Sequence, residues 1–575
     1  MGVHLRWRSD GIRNFKKRNR KGRAPSFDRK AYRKVRSSEA QFLGWLKGRF
    51  RRRMVRLERL LSTLPGPCLS RLPRHRLEGF EMSSRRNLII FVLSALAIFL
   101  TYSPWISNKP VAEDFGSIIV YYLELKPDRN FRPVQGLIWL LLQTVVGHIS
   151  VNPIPYHLIS ILTHILNCYL AHLLIFFITK SKKLGWLGAF LFAFYPRHHE
   201  TIFWGAAYSH MIMTTFSLIT IIFYIKFKHT GNTKFIILSL LSFLSALLSH
   251  EASAALILIL FFVNRTVKQD TKTTNIINEI SGFIPYLILL IIYFVATVLP
   301  NNRFVGLIAQ NQPDKFYGLS LNISKIKDLM GYISYLTVYF INLRSPSFEL
   351  KIIMALSSLA ILAIIELATS RIGRFGIIWA IVSFLPYSFL VHTGNADRYF
   401  YLPSLGYVIA IIDLIKIFLF KKISFCFRIT FILGIIIYIL SSFVILQFRG
   451  KEWRYAGEIA DQILQIIYKN HPYINEETQF YLINLPKNYG QARVLGVGAG
   501  WALRTHYNLP SLKVYGSYHP ELISEILRCL ENNNNRSKPA QIFVYIYLKD
   551  TIVNVSWCYN NPKIKNMLEE YSIFP

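Results

Sequence analysis

The stretch Asn87–Trp105, NLIIFVLSALAIFLTYSPW, decides the fold. It carries no charge and is long enough to cross a bilayer, whose hydrocarbon core needs about 20 apolar residues in helical form. Lipid offers no partner to a free backbone amide or carbonyl, so such a block is helical. Similar blocks recur at roughly 155–178, 184–196, 206–227, 234–249, 252–264, 281–299, 326–343, 351–369, 375–391, 400–419 and 426–447. The 575 residues are 52% hydrophobic, and that content is gathered in solid blocks rather than amphipathic stripes. The chain therefore reads as an α-helical polytopic membrane protein with 11–13 transmembrane helices. The count stays a range because 326–343 breaks the alternation of sides that the other blocks obey.

The formal net charge of +36 suggests nucleic acid at first sight. Its distribution argues otherwise. Residues 1–86 hold 26 Lys and Arg against 6 Asp and Glu, all ahead of the first apolar block. Other cations sit in short loops such as Lys180–Lys183, Lys226–Lys234, Asn264–Lys272, Arg371–Arg374 and Lys421–Lys422. Basic short loops mark the cytoplasmic side. No nucleic-acid partner is expected, and residues 1–86 read as a disordered, solvated arm. Met82-Ser-Ser-Arg-Arg, just before the first block, reads as a natural start, which makes 1–81 an upstream extension. No cleavable signal peptide is evident, so the first block serves as a signal-anchor.

Two segments depart from the block pattern. Pro133–His148 is apolar but short, and reads as a helix lying along the membrane surface. Residues 450–575 are mixed polar, with the alternating run Gln541–Leu548 and an amphipathic pattern over 517–531. They read as a small extramembrane α/β domain, giving three regions: the 1–86 arm, an 87–449 membrane domain and 450–575. The Gly-rich GVGAG at 496–500 lacks GxGxxG spacing and reads as a turn. The five cysteines form no metal-ligand spacing; Cys529 and Cys558 pair if their region meets an oxidising compartment.

Polar residues at membrane depth are costly and usually mark function. Here they gather on the side opposite the basic loops: Glu113-Asp114, Arg132, His157, His164, Arg197-His198-His199-Glu200, His210, His250-Glu251 and Asp397-Arg398-Tyr399. Each has a plainer reading, such as a solvated loop pair, packed histidines or an interfacial anchor. Their joint occurrence on one side points to a polar cavity opening away from the cytoplasm. His198-His199-Glu200 lacks HExxH spacing, so no metal site is assigned.

The order of these motifs resembles the GT-C glycosyltransferases that use polyprenyl-phosphate sugars. The branch most alike includes the protein O-mannosyltransferases and the multispan mannosyltransferases with C-terminal repeats. The resemblance covers about 88–420 and rests on AEDFG (112–116), FRPV (131–134), NPIPYHLISILTHILN (152–167), FAFYPRHHETIFW (192–204), SHEASA (249–254) and DRYFYLPSLGY (397–407). It implies a GT-C-like fold, a polyprenyl-phosphate-linked sugar as donor, and transfer to a glycan, lipid or protein hydroxyl on the external face of the cytoplasmic (inner) membrane. The acidic pair implies a catalytic Asp114, with Glu113 as the alternative. Arg132, His198, His199 and Arg398 are the candidates for binding the donor phosphate. Glu200, His157, His250 and Glu251 are supporting residues. No cofactor is expected, and a divalent metal is not indicated. Relatives often carry Lys-Glu where this chain has His250-Glu251, and 450–575 shows no repeat. A surface-polysaccharide polymerase or ligase, a transporter or flippase, and a non-catalytic scaffold remain alternatives.

Overall fold

A computed structural model describes residues 85–119, 132–267, 282–297, 331–332, 334–337, 348–388, 396–420, 425–496, 498–531, 541–548 and 550–571. All lie in one compact unit, Met82–Pro575. The arm up to 84, the 300–325 loop and most of 326–343 fall outside the described residues.

The apolar blocks are helices. α1 is Arg85–Tyr102 and α2, in the following loop, is Asp114–Ile119. α3 is Pro133–Val146, α4 Ile154–Thr179, α5 Lys182–Ala193, α6 His199–Phe203, α7 Tyr208–Thr230 and α8 Thr233–Leu247. α9 is Leu256–Val267, α10 Ile284–Thr297, α11 Phe348–Ala368, α12 Arg371–Ser388, α13 Pro403–Phe420 and α14 Phe425–Asn470. Local chemistry sets the ends. Pro133 at the first position of α3 gives up an amide that has no helical partner there. Ser181 caps α5 and Asn232 caps α8 with side-chain oxygens. Asp413, buried on α13, accepts from the amides of Ser370 and Gly373 and so caps α12 from a neighbouring helix.

Among the described residues, four segments are long and apolar enough to cross a membrane: Arg85–Trp105, Ile154–Thr179, Gly205–Thr230 and Ile432–Asn470. The chain is thus a polytopic helical membrane protein. α7 lies deepest in the bundle, with most of its residues buried. α1 keeps Leu93 and Leu100 exposed, and α14 keeps Ile437 and Leu440 exposed, as outer helices in lipid do.

α14 runs without a break through position 449, where the composition changes, and carries the chain into a small α/β layer. There the strands are β1 (Gln479–Ile483), β2 (Asn488–Tyr489), β3 (Ala492–Arg493), β4 (Lys513–Ser517), β5 (Ile542–Leu548) and β6 (Thr551–Asn554). The main sheet has the order β4-β1-β5-β6, with β1 parallel to both neighbours and β6 antiparallel to β5. The helices are α15 (Gly498–Tyr507), α16 (Pro520–Glu531) and α17 (Pro562–Tyr571). Alternate strand residues serve two cores, because successive side chains point to opposite faces. Phe480, Leu482 and Tyr545 join the core that continues into the bundle. Tyr481, Ile483, Val544 and Ile546 pack with Leu522, Ile526, Ile564 and Leu568 of α16 and α17. A disulfide joins Cys529 to Cys558 on that second face.

GVGAG belongs to a packing joint. Gly496 has a positive φ of +45°, and Gly498 opens α15 directly against the Ala112 carbonyl, where a β-carbon would lie 1.9 Å from that oxygen. No side chain fits unless backbone moves. Gly498→Val is therefore expected to lower Tm by about 5 °C or more, read by thermal melting in detergent. An unchanged Tm would mean that the joint is not tight.

Candidate functional site

The loop after α1 is shaped by its own residues. Pro104 helps turn the chain out of the helix, and Ala112 takes a positive φ of 43° that a non-glycine residue adopts at a cost. The Ala112 amide donates to the Val494 carbonyl at 2.7 Å. Two residues on, Asp114 is 2% exposed. Its Oδ2 accepts from the Val111 amide at 3.0 Å and its Oδ1 from the Ala206 amide at 2.8 Å. Burial pushes its carboxyl up to about 7; the Glu113 charge adds to the rise, and the backbone amides oppose it. Glu113 faces the other way. Its side chain is 33% exposed and pairs with Arg493 at 3.0 Å.

Two segments distant in sequence lock together beside this loop. Asp397 accepts from Arg197 and, at 2.8 Å, from His199 Nε2. Burial alone would raise the Asp397 carboxyl; Arg197 and His199 outweigh it and hold the group well below the usual carboxylate range. The next residue, Arg398, pairs with Glu200 through its side chain and donates its own amide to Glu200 Oε2 at 2.8 Å. Arg197 also donates to the Tyr335 carbonyl, and His199 Nδ1 accepts from Trp453 on α14 at 3.0 Å. Arg398 and Arg493 both lie over the Trp204 indole, 5.1 and 5.0 Å from its centroid.

A third group comes from α3, α7 and the turn before α9. Arg132, just ahead of α3, grips Glu251 with Nη2 and Nε at 3.0 and 3.3 Å and reaches Ser209 at 3.3 Å. His250 lies 4.3 Å, ring to ring, from His210, which also bonds the Tyr387 hydroxyl at 3.1 Å. Burial, then the charges of Arg132 and Arg398, hold the His250 imidazole down to about 3, so it is neutral at ordinary pH. Arg398 also feels the Glu113 charge, which ties the three groups into one site.

The structure thus brings Glu113, Arg132, Glu200, His250, Glu251 and Arg398 together in a polar site, with Asp114 pinned by backbone amides next to Glu113. It seats His198 and His199 beneath, fully enclosed: His198 bonds Ser404 at 2.9 Å, and both ring nitrogens of His199 are engaged. His157 bonds the Asn108 carbonyl at 3.1 Å. Among the described residues, no group of three or more His, Cys, Asp or Glu side chains is placed to hold a metal ion. Sequence reasoning missed Arg493 and the part of Trp204 and Trp453. Arg493 is one cation among 67, on a two-residue strand with no motif around it.

No family model matches the chain. The chain is similar to a protein O-mannosyl-transferase of Caenorhabditis elegans. The two are 26% identical over 349 residues, which is 57% of this chain and 47% of the relative. The chain therefore spans under half the length of that relative. This is the branch whose motifs the sequence resembles. Among solved structures, the oligosaccharyltransferase of Archaeoglobus fulgidus in its apo form superposes with a TM-score of 0.40 at 12% identity, over 70% of this chain and 63% of that one.

Proposed function

We propose that the chain is a membrane glycosyltransferase that moves a sugar from a polyprenyl-phosphate carrier to a hydroxyl acceptor on the non-cytoplasmic face. The observation that carries the reading is Asp114: a buried carboxyl brought to about 7, next to Glu113, which Arg493 and Arg398 face in the polar site. A general base works best when its pKa lies near the working pH. Asp114 takes the proton of the acceptor hydroxyl as that oxygen attacks the anomeric carbon of the donor. The bond from that carbon to the phosphate oxygen breaks, and the phosphate leaves with the electron pair. Arg132 and Arg398, each held in place by a carboxylate, supply the positive charge that receives it. Buried His198 and His199 support the scaffold beneath.

The face is supported by two observations. The described basic segments Lys180–Lys183, Lys226–Lys234 and Arg371–Arg374 lie at the other ends of their helices, and the Cys529–Cys558 disulfide suits an oxidising compartment. The name of the relative makes mannose the first sugar to try and a protein hydroxyl the first acceptor. The test is incubation of purified protein with a panel of polyprenyl-phosphate and polyprenyl-diphosphate sugars, scoring released lipid phosphate and glycosylated acceptor. Turnover of a monophosphate donor is expected. Turnover of diphosphate donors alone would shift the reading to a polysaccharide polymerase or ligase, and no turnover in any arm would overturn it.

A further inference from the structure

The loop that carries Asp114 is held from outside the bundle. Along residues 104–109 it lies on the far half of α14: Arg454 donates to the Pro104 carbonyl at 2.6 Å, Lys109 pairs with Asp461, and Gly457 packs on the Lys109 backbone. Along 112–116 it meets the β2–β3 hairpin and α15. The Ala112 amide donates to Val494, Glu113 pairs with Arg493, Gly498 abuts the Ala112 carbonyl, and Gly116 faces the Trp501 indole at a spacing too tight for a β-carbon. The hairpin is itself anchored. Glu452 of α14, paired with Arg449 at 2.6 Å, accepts from the Gln491 amide at 3.1 Å. A rigid line therefore runs from α14 through the hairpin to the guanidinium of Arg493, which meets Glu113 and the Trp204 indole.

We propose that the C-terminal α/β unit completes the catalytic site, with Arg493 as a positioning residue that neutralises Glu113 and fixes the Asp114 loop in place. This rests on the glycosyltransfer reading for its chemistry, but the clamp itself is a matter of structure. Among the described residues, the groups that act on Asp114 are the amides of Val111, Gly205 and Ala206 and, through space, the charge of Glu113. Arg493 and Arg398 act on it through Glu113. Removing the Arg493 charge leaves Glu113 less compensated and makes Asp114 harder to ionise. Removing the Glu113 charge does the opposite. A partly exposed ion pair contributes modestly to global stability, so the full chain should fold without it.

The experiment compares full-length wild type with Arg493→Ala, Arg493→Lys, Glu113→Gln and the double variant Glu113→Gln/Arg493→Ala. In the pH–rate profile, Arg493→Ala should move the half-maximal pH up by about 0.5 or more, and Glu113→Gln should move it down. The double variant should return near wild type and Arg493→Lys should stay close to it, a pattern that mere loosening does not produce. Hydrogen exchange, which needs no activity, should show the Ala112 amide and α2 exchanging about tenfold faster in Arg493→Ala. Unchanged exchange with an unmoved half-point overturns the clamp while leaving transfer in place. Faster exchange with no transfer by any form, wild type included, upholds the clamp and overturns the glycosyltransfer reading instead.

Discussion

Asp114→Asn is expected to lower sugar transfer by at least about 100-fold while the protein still folds, because a positioned general base contributes on the order of 10²–10⁴. Folding needs its own argument, since Asp114 is buried and both its oxygens accept backbone amides. Asparagine has one oxygen, so either the Val111 or the Ala206 amide loses its acceptor, at a cost of about 1–3 kcal/mol. A second effect runs the other way. Burial raises the folded Asp114 carboxyl to about 7. The folded chain then holds the proton more tightly than the unfolded chain, whose value is about 4. The stability this gives is fully present below about pH 4 and is lost as pH rises through about 7. Asparagine does not ionise and escapes that loss, so near pH 8 the two effects oppose each other. In wild type the rate should rise with pH to half its maximum near 7, the base being active when ionised. Glu113→Gln should cost less, since Glu113 serves Arg493 rather than the acceptor. Full transfer by Asp114→Asn, with transfer abolished in Glu113→Gln, would move the base to Glu113.

The helices were legible because lipid leaves them few alternatives. The blocks read at 155–178 and 400–419 appear as Ile154–Thr179 and Pro403–Phe420, and the strand read over Gln541–Leu548 appears as Ile542–Leu548. The gathering of PRHHE and DRY was legible too, since both stand at the same ends of their helices, and the fold joins them residue against residue. What sequence could not supply was the third dimension of the loop after α1. Asp114 and Glu113 are neighbours with the same chemistry, yet one is pinned by amides and the other paired with a cation 380 positions away. GVGAG looked like a turn because glycine spacing says nothing of which backbone will press against it. The change of composition at 449 looked like a boundary, but α14 and the shared core ignore it, because a helix leaving lipid needs only a new surface polarity to continue.

The second large effect is expected at Asp397, which touches no reacting atom. Asp397→Ala removes the carboxylate that answers the buried Arg197 and His199 together. Arg197 is 5% exposed, and among the described residues its other contacts are the Tyr335 carbonyl and the faces of the Tyr335 and Phe400 rings. A guanidinium left buried without its counter-ion costs about 3–5 kcal/mol, a large part of the stability of an ordinary domain. The variant should therefore accumulate poorly or melt about 10 °C lower, and transfer should fall with it, because Arg398 takes its seat from the same turn. The pH sign supports a charged partner. The Asp397 carboxyl is depressed, so its contribution is fully present above about pH 4 and is lost only as pH falls through the lowered value. Wild type should keep its Tm between pH 5 and 8 at this locus, and Asp397→Asn should fall between wild type and Asp397→Ala. Replacing both partners, Arg197→Met with Asp397→Leu, should recover most of the lost Tm, since apolar groups of similar volume need no counter-charge. Asp397→Ala melting with wild type would mean that the two segments are held by packing alone, and the double variant melting no higher than Asp397→Ala would mean that the unpaired Arg197 charge is not what lowers the Tm.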